Sequence, residues 1–229
     1  MRLDQINDLL LPGYLPVESG VVDHDDGYKT VCALTRMPGA KAHMVEWWFR
    51  WLGGTEQYRL WHPTDHVFSD WEGRVPGTHV GSSHLVHEYL AGPTGPLFKL
   101  RISFRDPREF FDPDRYAGLD GAAICAHIGL LDEPVTLGRM THFVRNTPWG
   151  CEMRSRFFLG HVETRAPAPS MPAEAARAAR HANVTPDLAR RLHQHATEEM
   201  GYLADLLPVL FRQVQMQDEE INPKEVAKP

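Results

Sequence analysis

The 229-residue chain is poor in cysteine. Its three, Cys32, Cys125 and Cys151, are scattered and form no Cys-x-x-Cys pair. That spacing excludes a disulfide framework and a thiolate zinc site. No block of basic residues occurs and the formal net charge is −6, so nucleic acid is not an expected partner. No apolar run is long enough to span a bilayer, and the start, MRLDQINDLLLPGYLP, has no basic segment leading into an apolar one. Neither a membrane partner nor a signal peptide is expected, and a reducing cytoplasm is the expected compartment. Internal repeats are absent as well. A hydrophobic content of 42% over this length suits one fairly large domain with extensions. The boundaries expected are an N-terminal arm at 1–20, one domain at 21–212 and a mobile polar tail at 213–229.

What the chain has in quantity is histidine, with 13, and tryptophan, with 6. Histidine in this number points toward metal or proton chemistry without proving either. The most informative stretch is Leu188 to Leu206, LARRLHQHATEEMGYLADL. Leu188, Leu192, Leu203 and Leu206 recur at helical spacing and mark one apolar face. Thr185-Pro186 supplies a cap and a first-turn proline, and Leu207-Pro208 predicts a weakening or kink. His195 and Glu199 lie one turn apart in the apolar stripe. A buried carboxylate is costly unless compensated, and a divalent metal compensates it economically. Taken alone, a helical His–Glu pair is more often a hydrogen bond at the edge of a core.

A second stretch, TEQYRLWHPTDHVFSDW, is broken by Pro63, with His62, Asp65 and His66 at the break. AHMVEWWFRWL predicts a buried aromatic helix through Met44, Trp47, Trp48 and Trp51. Strands are predicted over Tyr28–Thr35, His79–Leu90, Leu97–Phe104, Ala122–Leu131, Val135–Asn146 and Cys151–His161. Alternation in the second of these does not decide whether the face of His84, Val86 and Glu88 or that of Leu85, His87 and Tyr89 is buried. The order predicts an α+β fold, an antiparallel sheet curled round one long C-terminal helix with a cavity between them. His66 or His62, Glu88, His195 and Glu199 are then a donor set suited to zinc or another first-row divalent ion.

HMVEWWFRWL, YRLWHPTDH, LVHEYL and HQHATEEMGYLADLLP together resemble the diacetylphloroglucinol hydrolase and phloretin hydrolase family, over roughly Met37 to Pro208. The resemblance implies a helix-grip fold of the birch-pollen-allergen type and a Zn2+ ion in its cavity. It implies hydrolysis of a carbon–carbon bond joining an acyl group to a polyphenol ring, hence a small aromatic acyl substrate. Its metal ligands fall on His66, Glu88, His195 and Glu199. His66 is preferred to His62 because the family places a tyrosine eight residues before its first ligand, and Tyr58 stands there, as a catalytic tyrosine. Glu88 or Glu199 is the expected base, and Asp65 the group that orients a ligand imidazole. Trp47, Trp48, Trp61 and Phe68 are expected to line the cavity.

Two departures stand out. Ser69 occupies the place of a family amide, and no tyrosine occurs between Tyr116 and Tyr202 to supply a second one from the later sheet. His142, Arg145 and Arg154 are the candidates for that space. The alternatives are a non-catalytic helix-grip protein for an apolar aromatic ligand, and an oxygenase or lyase using iron held by two histidines and a carboxylate. A homodimer is the assembly left open.

Overall fold

The computed structural model describes residues 1–221. Eight strands form one antiparallel sheet: β1 (Gly20–Asp23), β2 (Lys29–Pro38), β3 (His66–Glu72), β4 (Ser83–Tyr89), β5 (Leu97–Arg105), β6 (Gly121–Leu130), β7 (Val135–Thr147) and β8 (Gly150–Thr164). Their spatial order is β1-β2-β8-β7-β6-β5-β4-β3. Helices α1 (Ala42–Trp51) and α2 (Thr55–Trp61) connect β2 to β3. The short α3 (Pro113–Ala117) lies between β5 and β6, and α4 (Ala173–Asn183) leads into α5 (Pro186–Ile221). The sheet curls round α5, which packs on β1, β2, α1 and α2. This is a helix-grip fold.

Two apolar clusters sit on the two faces of the sheet. The concave face, α1 and α5 share the larger, with Trp48, Met153, Met200, Leu203 and Leu207 fully buried. On the convex face Phe111, Phe143 and Phe158 receive Ile6 and Leu9 from the N-terminal arm, whose Leu3–Leu10 segment is a 3-10 helix. The arm is further held by Glu18, which accepts from both Arg154 and Arg156 at 2.5–3.0 Å. Arg154 and Arg145 therefore serve the convex side, Arg145 through Glu152 and the Gly13 carbonyl. Neither takes the place of the missing tyrosine.

Several elements differ from the sequence reading. α5 runs unbroken through Pro208 to Ile221. Pro208 gives up one backbone hydrogen bond, but it is buried and its ring lies 3.9–4.0 Å from where a side chain at Gly39 would begin, so tertiary packing holds the helix together. Residues 213–221 of the expected tail are thus helical, and 222–229 lie outside the described residues. In α1 the buried row is Ala42, Val45, Trp48 and Phe49, with Met44, Trp47 and Trp51 half-buried. The strand expected from His79 begins only at Ser83, and His66–Glu72, read as a break before the sheet, is its edge strand.

Candidate metal centre

Pro63 ends α2 and turns the chain sharply into β3. His62 closes the helix in an extended conformation, as a residue preceding proline prefers. The Tyr58 carbonyl, which accepts from the His62 N–H at 3.4 Å, also accepts from His66 Nδ1 at 2.8 Å. The Tyr58 ring also stacks on the His66 imidazole, with centroids 3.6 Å apart. A carbonyl only accepts, so Nδ1 carries the proton and Nε2 offers a lone pair. A register shift between His66 and Phe68 then keeps His66 opposite Glu88 on the inside and throws Phe68 out. Phe68 is exposed and packs on His87, so it does not line the cavity as expected.

Asp65 is almost fully buried and accepts from four directions. The backbone N–H groups of Ala91 and Gly92 donate to its carboxylate at 3.1–3.4 Å, and the Tyr89 N–H donates to its carbonyl at 2.9 Å. These bonds clamp the end of β4, which carries Glu88. Its Oδ2 also accepts from His195 Nδ1 at 3.0 Å, which leaves Nε2 as the nitrogen open to a ligand. In β4 the buried face proves to be His84, Val86 and Glu88.

Ligand atoms of His66, His195 and Glu199 lie within 4.8 Å of one another. His66 Nε2 is buried and lacks a hydrogen-bond partner among the described residues, yet it stands 3.3 Å from Glu199 Oε1. Two lone-pair groups facing each other call for a cation. Two ligands about 2.0–2.1 Å from a tetrahedral ion stand roughly 3.3–3.4 Å apart, which matches that separation. Electrostatics agree. Burial opposes charge on His195, but the bond to Asp65 and the charges of Glu199 and Glu88 lift its pKa to about 9. Burial also opposes charge on Glu199, but contact with His66 and the charge of His195 hold its carboxyl below the usual range. The residues present fit a divalent ion.

Glu88, the fourth expected ligand, is not in that group of three. Its carboxylate accepts a hydrogen bond from the Tyr58 hydroxyl. Burial, and then the charge of Glu88, push the Tyr58 phenol well above its ordinary pKa. A second triad, His62, Asp65 and His195, is equally close-set, and His62 Nε2 in it is buried without a hydrogen-bond partner among the described residues. His62 Nδ1 accepts from the Asp65 N–H at 3.1 Å, and His195 Nδ1 is already bonded to Asp65. His62 stacks on His195 at 5.2 Å and supports it. The sequence reading left His62 unassigned; its signal was its position three residues before Asp65.

These groups border a cavity of about 120 Å3 between sheet and helix. An engineered apolar cavity of about 150 Å3 accepts benzene, so the space has the scale of one ring. Tyr58, Trp61, His84, Glu88, His142, His195 and Glu199 line it, with Phe49, Phe104, Met140 and Phe157 among the apolar wall. His142 hydrogen-bonds Ser155 through Nδ1 at 2.8 Å, which leaves its other nitrogen for the cavity. Burial pushes its pKa down to about 4, so it is neutral. His84, also unassigned from sequence, is pushed down to about 3 by burial and then by His66. Ser69 bonds His84 at 2.6 Å and does not line the cavity. Trp48 does not reach it either: it packs behind Trp61 with centroids 5.6 Å apart. Trp47 stands outside against Phe211.

Residues 1–212 match the family model described as the DAPG hydrolase PhiG domain. A 2,4-diacetylphloroglucinol hydrolase from Pseudomonas sp is 27% identical over 92% of this chain and 76% of that protein. A phloretin hydrolase from Eubacterium ramulus is 28% identical over 81% of this chain and 68% of its own length. Among solved structures, protein Ms6760 from Mycobacterium smegmatis aligns with a TM-score of 0.49 and 13% identity, over 84% of this chain and 98% of that one. Among the described residues no helix is long and apolar enough to cross a membrane. With a family model that spans nearly its whole length, the chain belongs to the DAPG hydrolase family.

Proposed function

We propose that this protein is a metal-dependent hydrolase that cleaves the carbon–carbon bond between an acyl carbonyl and a phenolic ring. The observation that carries the reading is the Tyr58–Glu88 hydrogen bond beside the facing His66 and Glu199, with Tyr58, Glu88 and Glu199 at the wall of a ring-sized cavity. The names of its relatives, hydrolases of diacetylphloroglucinol and of phloretin, point the same way. His66, His195 and Glu199 would hold the ion, with Glu88 beside them. Two imidazoles and one carboxylate suit zinc with an open position. The bound ion supplies Lewis acidity, which polarises a carbonyl and brings the pKa of water toward about 7.

The chain's own groups then divide the proton traffic. Tyr58, kept protonated, gives its proton to the ring carbon that bears the acyl group, so that this carbon becomes tetrahedral and a ring phenolate oxygen becomes a carbonyl. Glu88 accepts a proton from the attacking water, whose oxygen bonds to the acyl carbon. As the carbon–carbon bond breaks, its electron pair enters the ring and restores the phenolate, and Tyr58 recovers a proton from Glu88 through the hydrogen bond they share. The sum is one water consumed, one carboxylic acid and one deacylated phenol released. His142, neutral and facing the cavity, binds a ring hydroxyl. Trp61, Phe49 and Phe104 exclude water from the ring.

Metal analysis and an oxygen-18 water experiment test this. Near-stoichiometric zinc, its loss in His195→Ala, and label in the released acid without dioxygen are expected. Tyr58→Phe is expected to keep the metal and lose roughly 100-fold or more in kcat. Absence of metal uptake, or cleavage that needs dioxygen, would overturn the reading; the latter favours iron chemistry.

A further inference from the structure

Two buried histidines of the cavity wall are set in the same way. His142 on β7 is bonded to Ser155 through Nδ1 at 2.8 Å. His84 on β4 is bonded through Nε2 to Ser69 of the edge strand β3 at 2.6 Å. Both imidazoles line the cavity and neither serine does. The His84 ring is held on two further sides. Trp71 stacks on it with centroids 4.6 Å apart, and the Tyr58 ring meets it edge-on at 5.2 Å. Among the described residues Ser69 is its one hydrogen-bond partner, so Nδ1 is left to the cavity. On the adjacent strand β5, Leu100, Ile102 and Phe104 line the cavity and offer that nitrogen nothing polar. A ring nitrogen kept in an apolar wall without a partner is costly. The molecule that fills the cavity is then the source of the partner.

We propose that His84 is a specificity-determining residue that binds one hydroxyl oxygen of the substrate ring through Nδ1, with Ser69 as the positioning residue behind it. The assignment rests on the acyl-phenol hydrolase reading above and adds a second ring contact to that of His142. A ring oxygen that passes from phenolate to carbonyl and back accepts a hydrogen bond throughout. Burial, and then the neighbouring His66, push the pKa of His84 down to about 3, so the imidazole is neutral and only one of its nitrogens carries a proton. The matching arrangement has the Ser69 hydroxyl donating to Nε2 and the Nδ1–H donating to the ring oxygen. A ring lacking that oxygen leaves the N–H buried and unpaired, which is the source of discrimination.

The test is a mutant cycle between protein and substrate. The 2,4,6-trihydroxyphenyl methyl ketone is compared with its 2,4- and 2,6-dihydroxy analogues on zinc-loaded wild type, His84→Phe and Ser69→Ala. In wild type, removing the hydroxyl that meets His84 is expected to lower kcat/KM about 10- to 100-fold. In His84→Phe the same removal is expected to cost less than about twofold, while removing the other hydroxyl costs as much as in wild type. Ser69→Ala keeps the imidazole and loses the bond that orients it, so its coupling is expected to fall between the two, with bound zinc retained. A merely structural role lowers all three ketones by one factor; that result overturns the proposal, as does an unchanged His84→Phe. If His84→Phe does not fold, the coupling in Ser69→Ala decides: reduced supports the contact, and full overturns it. If no ketone is cleaved, the hydrolase reading fails by itself, and the same cycle is read from Kd by calorimetry. A hydroxyl preference lost in the variants then supports the contact. A preference that persists, or no binding of any ketone, overturns it.

Discussion

At the scale of single residues, the proposed centre depends on second nitrogens being used up. His66 and His195 each spend Nδ1 on an acceptor, a carbonyl and a carboxylate, so Nε2 is the nitrogen each would offer an ion, which at His195, with its pKa lifted to about 9, must displace a proton. Asp65→Asn replaces an acceptor-only group with one that also donates. It is expected to weaken metal affinity about 10- to 100-fold, measurable by chelator competition. His79 offers a contrast. It packs against Phe49 and Phe104, and neither ring nitrogen has a hydrogen-bond partner among the described residues. Burial lowers its pKa to about 4. A depressed histidine pKa means that the unfolded chain takes up the proton first. Its stabilisation is present above about pH 6.5 and falls toward pH 4, by at most about 1.4 kcal/mol per pH unit. Urea melts of metal-free wild type and His79→Leu between pH 7 and 4.5 should show a shallower loss in the variant; parallel curves would refute the assignment.

At the scale of elements, bulges aim side chains. The shift near Val67 keeps His66 inside and Phe68 outside. A second shift sets Thr136 opposite Glu163 and Gly138 opposite Leu159, so β8 holds extra residues around Gly160. A bulge bends its strand and adds to the curl of the sheet. Gly160 has φ +99°, and a Cβ there would lie 2.6 Å from Arg180 Cδ. Arg180 cannot swing away freely, because it donates to Asp26 and to the Gly160 carbonyl and covers the Tyr28 ring. Gly160→Ala is expected to cost about 1–3 kcal/mol in urea denaturation. Local pattern made most elements legible: periodicity for α1 and α5, alternation for β2 and β5, and Pro63 for the break that precedes β3. It missed β3, whose polar sequence does not resemble a strand, and it expected a weakening or kink of α5 at Pro208, where buried contacts outweigh one lost hydrogen bond.

At the scale of the whole molecule, the fold gathers Asp65, Glu88 and Glu199 round His195, whose pKa they lift, and the same negative surroundings would attract a cation. Binding to the folded state alone stabilises it in proportion to RT ln(1 + [L]/Kd). Chelation is expected to lower Tm by about 5–10 °C, given ~2.7 kcal/mol at 100-fold saturation and 2–4 °C per kcal/mol at this size. Zinc should restore it, and an unchanged Tm would count against the centre. The sequence by itself determined the fold class, the helix bearing His195 and Glu199, and the turn bearing Asp65 and His66. Each is a local matter of spacing, capping and breaking, and the family resemblance rested on those same stretches. Only the tertiary structure decided which face of β4 is buried, that Glu88 meets Tyr58, that His62 and His84 belong to the site, and that Trp48, Phe68, Arg145 and Arg154 do not line the cavity. Those outcomes depend on strand register, bulges and the angle of α5, set by contacts between residues far apart in the chain, which periodicity along one segment does not encode.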